Sequence, residues 1–462
     1  MNIVLVDRIY WIVEEILKKT NWIVEFLIID DSCEVSLKEL ISNYPDRIKQ
    51  YYTLSKFMKL DSTKGLDFGK VEKYKYCQTM GDAGLRRICD DYQFSRYMFY
   101  MSASFWIDFF DTHSVDACLI MDLLHGYPCD VLVEKICKDK NIPCYNIYDH
   151  NYKELAVFNA NSNQIIPASE DKDSFSEDSI NSVADYASNN DSEKEWTKSW
   201  KWSSKLLYKI GGARLIQYVV FLRNKCKLEI NYKKISLVQY ISNEISIRNL
   251  KKHIRKLYSP VNYKEKYIIY FLHFEPEAVI TSFNEIVDSQ LVNIKMIADA
   301  LPKGWTLYVK EHPDWYKLNN ILFSYQISNI PTFLTRYYFD TIAKMQNVKL
   351  VDYKIPASKL IENCQAIATI AGTVIYEAVR AKKNILIFGN NRLLYSKCKD
   401  FYIINSMNDL KNSFEKIRLG NSPTYDDFIS TGDKYLIKRN TKAWKTVINT
   451  IKFHLEKSKF NK

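Results

Sequence analysis

Three short stretches carry residues whose types and spacing could do chemistry: His273-Phe274-Glu275-Pro276-Glu277, Glu311-His312-Pro313, and Ala371-Gly372-Thr373 followed by Glu377. The first sets two carboxylates beside an imidazole, a combination that can supply a nucleophile or a general acid or base. The second puts His312 before a proline, which restricts its backbone, so its ring can be aimed at a phosphate or a leaving group. In the third, Gly372 lets backbone come close to a ligand. Thr373 offers a helix cap and a hydroxyl for a phosphate oxygen. Glu377, four residues on, shares the same side of a helix and suits a ribose hydroxyl. A fourth loop, Asp122–Pro128, carries His125 and Gly126.

Each of these stretches follows a strand-like run. Lys266–His273 and Trp305–Lys310 are apolar runs of strand length, and Lys310 puts a basic group at the end of the second. Ala366–Thr369, Val374–Ala381 and Ile385–Phe388 read as strand, helix and strand, a crossover that makes its two strands parallel. Ligands of open α/β sheets sit outside the carboxyl ends of such strands, so these loops converge. Strands at Val348–Val351 and Phe401–Ile404 complete this second unit. The chain opens the same way, with strands at 3–6 and 24–29 around a helix over 9–19, but without GxGxxG, so the dinucleotide fingerprint is missing. Val115–Met121 and Ile142–Ile147 are further strands flanking a helix over 129–140. The stretch 33–113 is rich in Tyr and Phe and mostly helical or irregular.

With 462 residues the chain is too long for one core. The expected division is 1–250, an N-terminal domain with a polar, acidic surface insertion at 158–196; 262–432, a C-terminal domain; and 433–462, a basic helix. In that helix Trp444, Val447, Ile448, Ile451 and Leu455 share one face, which can cross back onto the N-terminal half or lie on a membrane. Asp171-Lys172-Asp173 spells the DxD pattern that can hold a metal, yet it stands in a solvated charge run rather than after a strand and reads as surface. The net charge of +11 is uneven. Residues 167–195 hold nine acids and two lysines, whereas 199–235 and 434–462 each net +8. The stretch 203–223 is amphipathic and basic, a membrane-surface helix or a packed pair around Gly211-Gly212. No basic segment carries a nucleic-acid recognition motif. No run of 18 apolar residues reads as a span, and the first residues lack a signal-peptide pattern. The ten cysteines show neither a CxxC pair nor zinc spacing. Packed, reduced thiols in a cytoplasmic protein are the expectation.

FLHFEPEA, LPKGWTLYVKEHP and NVKLVDYKIPASKLIENCQAIATIAGTVIYEAVRAKKNILIFG together resemble the capsule polysaccharide synthesis family, bacterial glycosyltransferases that include the β-Kdo transferases. The likeness covers 265–405, with looser support from VDACLIMDLLHGYPCD and NIPCYNIY. It implies a GT-B fold: α/β, two Rossmann-like doubly wound domains facing a cleft, with a C-terminal helix crossing back. It implies a sugar-nucleotide donor held mainly by the C-terminal domain. His312, Pro313 and Lys310 would meet the donor phosphate or nucleotide, Gly372 and Thr373 would cradle phosphate, and Glu377 would take the ribose. The Kdo enzymes' first loop reads Gln-x-Glu-x-Asp; here His273 replaces Gln and Glu277 the final acid. If the reaction retains configuration, Glu275 and Glu277 are nucleophile candidates; if it inverts, a carboxylate or His125 is the base, with His273 alongside. The implied reaction moves a sugar, Kdo or a related 2-keto acid sugar from a CMP donor, to a capsule or lipopolysaccharide glycan. That acceptor would be lipid-linked and met at the inner face of the cytoplasmic membrane through the basic stretches. Neither cofactor nor metal is implied, because GT-B sites stabilise the leaving phosphate with helix N-termini and basic groups. Transfer from a UDP- or GDP-sugar, or a non-catalytic scaffold of the same fold, are the alternatives.

Overall fold

Alternation along the first strand sets the layers. In a computed structural model, β1 (Asn2–Val6) sends Ile3 and Leu5 to one face of its sheet and Val4 and Val6 to the other, all buried, so the sheet is covered on both sides. The structure describes residues 1–6, 10–86, 92–121, 128–151, 153–189, 237–273, 289–312, 335–389 and 393–460.

The N-terminal sheet runs β3 (Tyr51–Thr53), β2 (Ile23–Ile29), β1, β4 (Ala117–Met121), β5 (Cys144–Asp149), all parallel. It then turns antiparallel through β6 (Glu154–Asn159), which also pairs with β7 (Gln164–Ile165). The tyrosine- and phenylalanine-rich stretch supplies β3 and the long Tyr92–Thr112 helix, whose Phe105, Trp106 and Phe109 rings meet Phe26 with centroids 5.0–5.5 Å apart.

The C-terminal sheet is parallel throughout. Its six strands run β10 (Val348–Val351), β9 (Trp305–Lys310), β8 (Lys266–Phe271), β11 (Ala366–Thr369), β12 (Asn384–Phe388), β13 (Tyr402–Ile404). Counted within this sheet, that is the doubly wound order 3-2-1-4-5-6, whose winding reverses between β8 and β11. The chain then returns: β14 (Ile437–Lys438) pairs with β6, and the Ala443–Phe460 helix buries Val447, Ile448, Ile451 and Leu455 in the N-terminal core beside Ile12, Val13 and Ile16. Two Rossmann-like sheets with a terminal helix crossing back is the GT-B type of organisation expected from the sequence. Of the two placements open to the terminal helix, its apolar face takes the protein one.

Two features differ from the sequence reading. The Leu237–Arg255 helix straddles the expected domain limit, and its Leu250 and Ile254 pack in the C-terminal core. Within 158–196, the described part is folded rather than a surface excursion: the Glu177–Asn189 helix buries Ile180, Val183 and Ala184. The Asp-Lys-Asp pattern there ties down the returning chain. Asp171 accepts from Ser169 and from Asn449 Nδ2 (3.0 Å), Asp173 from Asn440 Nδ2 (2.8 Å), and Lys172 pairs with Asp433 at 3.2 Å. The basic stretch 203–223 lies outside the described residues. Among the described residues no helix is long and apolar enough to cross a membrane.

Candidate functional site

The reversal of winding between β8 and β11 brings together the two chain segments that leave their carboxyl ends. His273 follows β8, and Ala371 and Gly372 follow β11. The Ala371 backbone N–H donates to His273 Nε2 at 3.0 Å. A backbone amide can only donate, so Nε2 carries no proton here, and a neutral ring holds its proton on Nδ1. Thr369 Oγ1 donates to Ala371 O at 2.8 Å and lies 3.3 Å from the same ring nitrogen. His273 is itself clamped at its peptide. Its N–H donates to Gln290 Oε1 at 2.7 Å, and Gln290 Nε2 donates back to its carbonyl at 3.3 Å, with Gln290 only 1% exposed.

This clip fixes the turn. Gly372 sits at φ +108°, a conformation L residues rarely adopt. A Cβ there would meet His273 Cε1 at 3.5 Å, an ordinary contact, so backbone conformation rather than space demands glycine. Thr373 takes the N-cap position of the Val374–Arg380 helix, but in a helical conformation and with no side-chain capping bond. The expected cap is therefore not made. Glu377 is buried in that helix, one turn beyond Thr373.

The second stretch is organised by Lys310. Lys310 is 5% exposed, and its ammonium donates to Tyr353 O at 2.9 Å, joining the ends of β9 and β10. Glu311 beside it is buried, and His312 is half-buried. Thus the structure brings His273, Gly372, Thr373 and Glu377 to the β8–β11 reversal, with Lys310 and His312 at the end of the neighbouring strand. Glu275, Glu277, Pro313 and His125 lie outside the described residues. Sequence reasoning missed Gln290 and Thr369. A glutamine entering a helix and a threonine ending a strand are both unremarkable in sequence; only the pairing of β8 with β11 reveals their partners.

On its other side the Val374–Arg380 helix meets the N-terminal half. Asn151 Nδ2 donates to the Tyr376 hydroxyl, and the His150 ring lies tilted by 39° against the Tyr395 ring, with centroids 4.8 Å apart. Among the described residues neither ring nitrogen of His150 has a hydrogen-bond partner, and burial lowers its pKa to about 3. Glu154 is 2% exposed, with its backbone N–H donating to Asn151 Oδ1 at 3.1 Å. Burial raises its carboxyl pKa to about 7. Burial likewise pushes the Tyr376 and Tyr395 hydroxyls far above their ordinary range. At neutral pH the seam holds a neutral imidazole, neutral phenols and a carboxyl near its midpoint.

No family model matches the chain, and no curated protein matches it. Among solved structures the chain is similar to the β-Kdo 2,7 transferase of KpsC from Thermosulfurimonas dismutans, at 10% identity with 89% of each chain covered and a TM-score of 0.32. It is also similar to UDP-GlcNAc 2-epimerase from Neisseria meningitidis, at 12% identity over 98% of this chain and 99% of that one, TM-score 0.27. ADP-heptose lps heptosyltransferase II of E. coli gives 8% identity over 91% and 99%, TM-score 0.25. Likeness this distant carries no weight for activity or substrate, and the architecture rests on the strand orders themselves.

Proposed function

We propose that the chain is a glycosyltransferase that holds a nucleotide-sugar at the carboxyl edge of its C-terminal sheet. The observation that carries this reading is the clip at the β8–β11 reversal, where His273 fixes a Gly372 turn one helical turn ahead of Glu377. Such a crevice is where open α/β sheets take nucleotides. An immobilised turn gives backbone a fixed approach to phosphate, and Glu377 is the carboxylate for ribose hydroxyls. His312 and Lys310 supply the positive side for the leaving phosphate. In this reading His273 positions the turn rather than moving a proton, because its Nε2 is already used as an acceptor. The reacting carboxylates are then Glu275 and Glu277, with His125 as the base from the N-terminal half if the reaction inverts. The sugar is Kdo or a related 2-keto acid from a CMP donor, and the acceptor a lipid-linked surface glycan met at the inner membrane face. The basic stretches support that last point only as charge.

Thermal shift against CMP, UDP, GDP and their sugars tests the reading. A nucleotide at a hundred times its Kd stabilises a folded protein by about 2.7 kcal/mol. The expected result is a raised midpoint with CMP. Stabilisation by UDP or GDP alone would replace the donor, and no response to any of the three would remove the nucleotide reading.

A further inference from the structure

The ten cysteines carry no metal spacing in sequence, yet the fold gathers three of them. Cys118 on β4, Cys144 on β5 and Cys137 on the Pro128–Asp139 helix place their sulfurs within 4.8 Å of one another. All three are 0% exposed and reduced. Their supports are fixed. Cys118 and Cys144 are register partners on neighbouring strands, with the Cys118 N–H donating to Pro143 O at 2.8 Å. The Cys144 N–H donates to Asn161 Oδ1 at 2.7 Å, and Asn161 Nδ2 donates to Ile142 O at 2.9 Å. Ile142 N–H in turn donates to Cys137 O at 2.8 Å, so a single short segment ties the helix end to β5.

We propose that Cys118, Cys137 and Cys144 form a three-sulfur site for a soft trivalent ion, arsenic(III) being the probe. Bonds of about 2.3 Å to sulfur, in the pyramid that the lone pair imposes on arsenic(III), would put the sulfurs about 3.4 Å apart, so sulfurs within 4.8 Å of one another need to close by no more than about 1.4 Å. Charge and coordination number select the ion. The three cysteines belong to the same hydrophobic core cluster as Ile120, Leu132, Val133, Ile136 and Phe158, and the one acidic group that acts on Cys137 is the buried Glu134, which adds negative charge rather than balancing it. A divalent ion on three thiolates would leave a net negative charge in that core, which is costly without a partner. Zinc also closes its shell with four ligands, and among the described residues the cluster holds three. A trivalent ion on three thiolates is neutral and three-coordinate. In the reaction, arsenous acid loses three As–O bonds and gains three As–S bonds. Each thiol proton leaves with a hydroxide as water, and nothing is oxidised or reduced. The site joins two strands and a helix of the N-terminal half, and it does not depend on the nucleotide reading of the other half.

The experiment titrates arsenite into the full chain, kept reduced with a phosphine, and reads native mass and arsenic-edge X-ray absorption. The expected result is one arsenic replacing three hydrogens per chain, with three sulfur neighbours. Cys118→Ser, Cys137→Ser and Cys144→Ser should each weaken binding by about a hundredfold or more, since each removes one of three linked bonds. Cys77→Ser and Cys398→Ser should leave it unchanged. If the serine variants do not fold, the sulfur count on the unmodified chain decides alone. No bound arsenic, two sulfur neighbours, or zinc binding more tightly than arsenite would each overturn the proposal.

Discussion

The two sheets share the order 3-2-1-4-5 across their first five strands and differ in what they do with it. The C-terminal sheet stays parallel to its last strand, so all its carboxyl ends point one way and their loops can build one site. The N-terminal sheet ends antiparallel at β6 and completes itself with β14, borrowed from the far end of the chain. One half is organised around a crevice, the other around being held shut. The seam between them, around Tyr376 and His150, buries titratable groups instead of exposing them.

The largest test of that contrast removes the borrowed elements. Truncation after residue 432 deletes buried Ile437, Val447, Ile448, Ile451 and Leu455, each worth about 1.5–3 kcal/mol. The sum is on the order of 10 kcal/mol, comparable with the whole stability of a domain. The N-terminal half should then unfold, seen as loss of one transition and rapid proteolysis of residues 1–189, while the C-terminal half persists. Two intact transitions would mean the return is ornamental.

Next come the crevice residues. Glu377→Gln and His312→Ala should each lower transfer by about a hundredfold or more, as loss of a group fixed on the reacting complex does. The thermal midpoint without ligand should move little. Gly372→Ala should cost about 1–3 kcal/mol from its positive φ and weaken nucleotide binding with it. Wild-type turnover in either of the first two would take that residue out of the site.

The seam predicts a cancellation. The folded pKa of Glu154 is raised from an ordinary 4.5 to about 7, so its stabilising proton is fully present below pH 4.5 and lost by pH 7. The folded pKa of His150 is lowered from 6.5 to about 3, so its stability is present above pH 6.5 and lost on acidification toward pH 3. Each contributes a slope of about 1.4 kcal/mol per pH unit inside its window, and the signs oppose. Between pH 4.5 and 6.5 the pair should leave stability flat. Denaturant melts of Glu154→Gln should lose stability on acidification through that range, and those of His150→Phe should gain it. Identical profiles in both variants would show the seam is wetter than its burial indicates. The smallest effect belongs to Arg380 and Asp185, an ion pair across the seam with Asp185 64% exposed. Arg380→Ala should change stability by less than about 1 kcal/mol.

The sequence made the strands legible where burial left runs dominated by apolar residues, and Trp305–Lys310, Val348–Val351 and Ala366–Thr369 match the structure residue for residue. It hid β6, β7 and β14, whose partners are set by antiparallel pairing across distant segments and whose residues, such as Gln164 and Lys438, do not read as strand. The acidic run over 167–195 looked solvated because its charges dominate the count, although Ile180, Val183 and Ala184 sit at helical spacing and pack inward. For the site, the loops were visible through their residue types. The clip was not, because Gln290, His273 and Ala371 are brought together only by strand order. The cysteine cluster is the same case: spacings of 19 and 7 residues carry no motif, and β4, β5 and one helix make them neighbours.

The most direct test of the central claim is hydrogen exchange of the full chain with and without saturating CMP, UDP or GDP. The expected result is slowed exchange in peptides covering 266–273 and 366–380, including the Ala371 amide, with the N-terminal sheet little changed. Protection confined to residues 1–189, or none with any nucleotide, would contradict it.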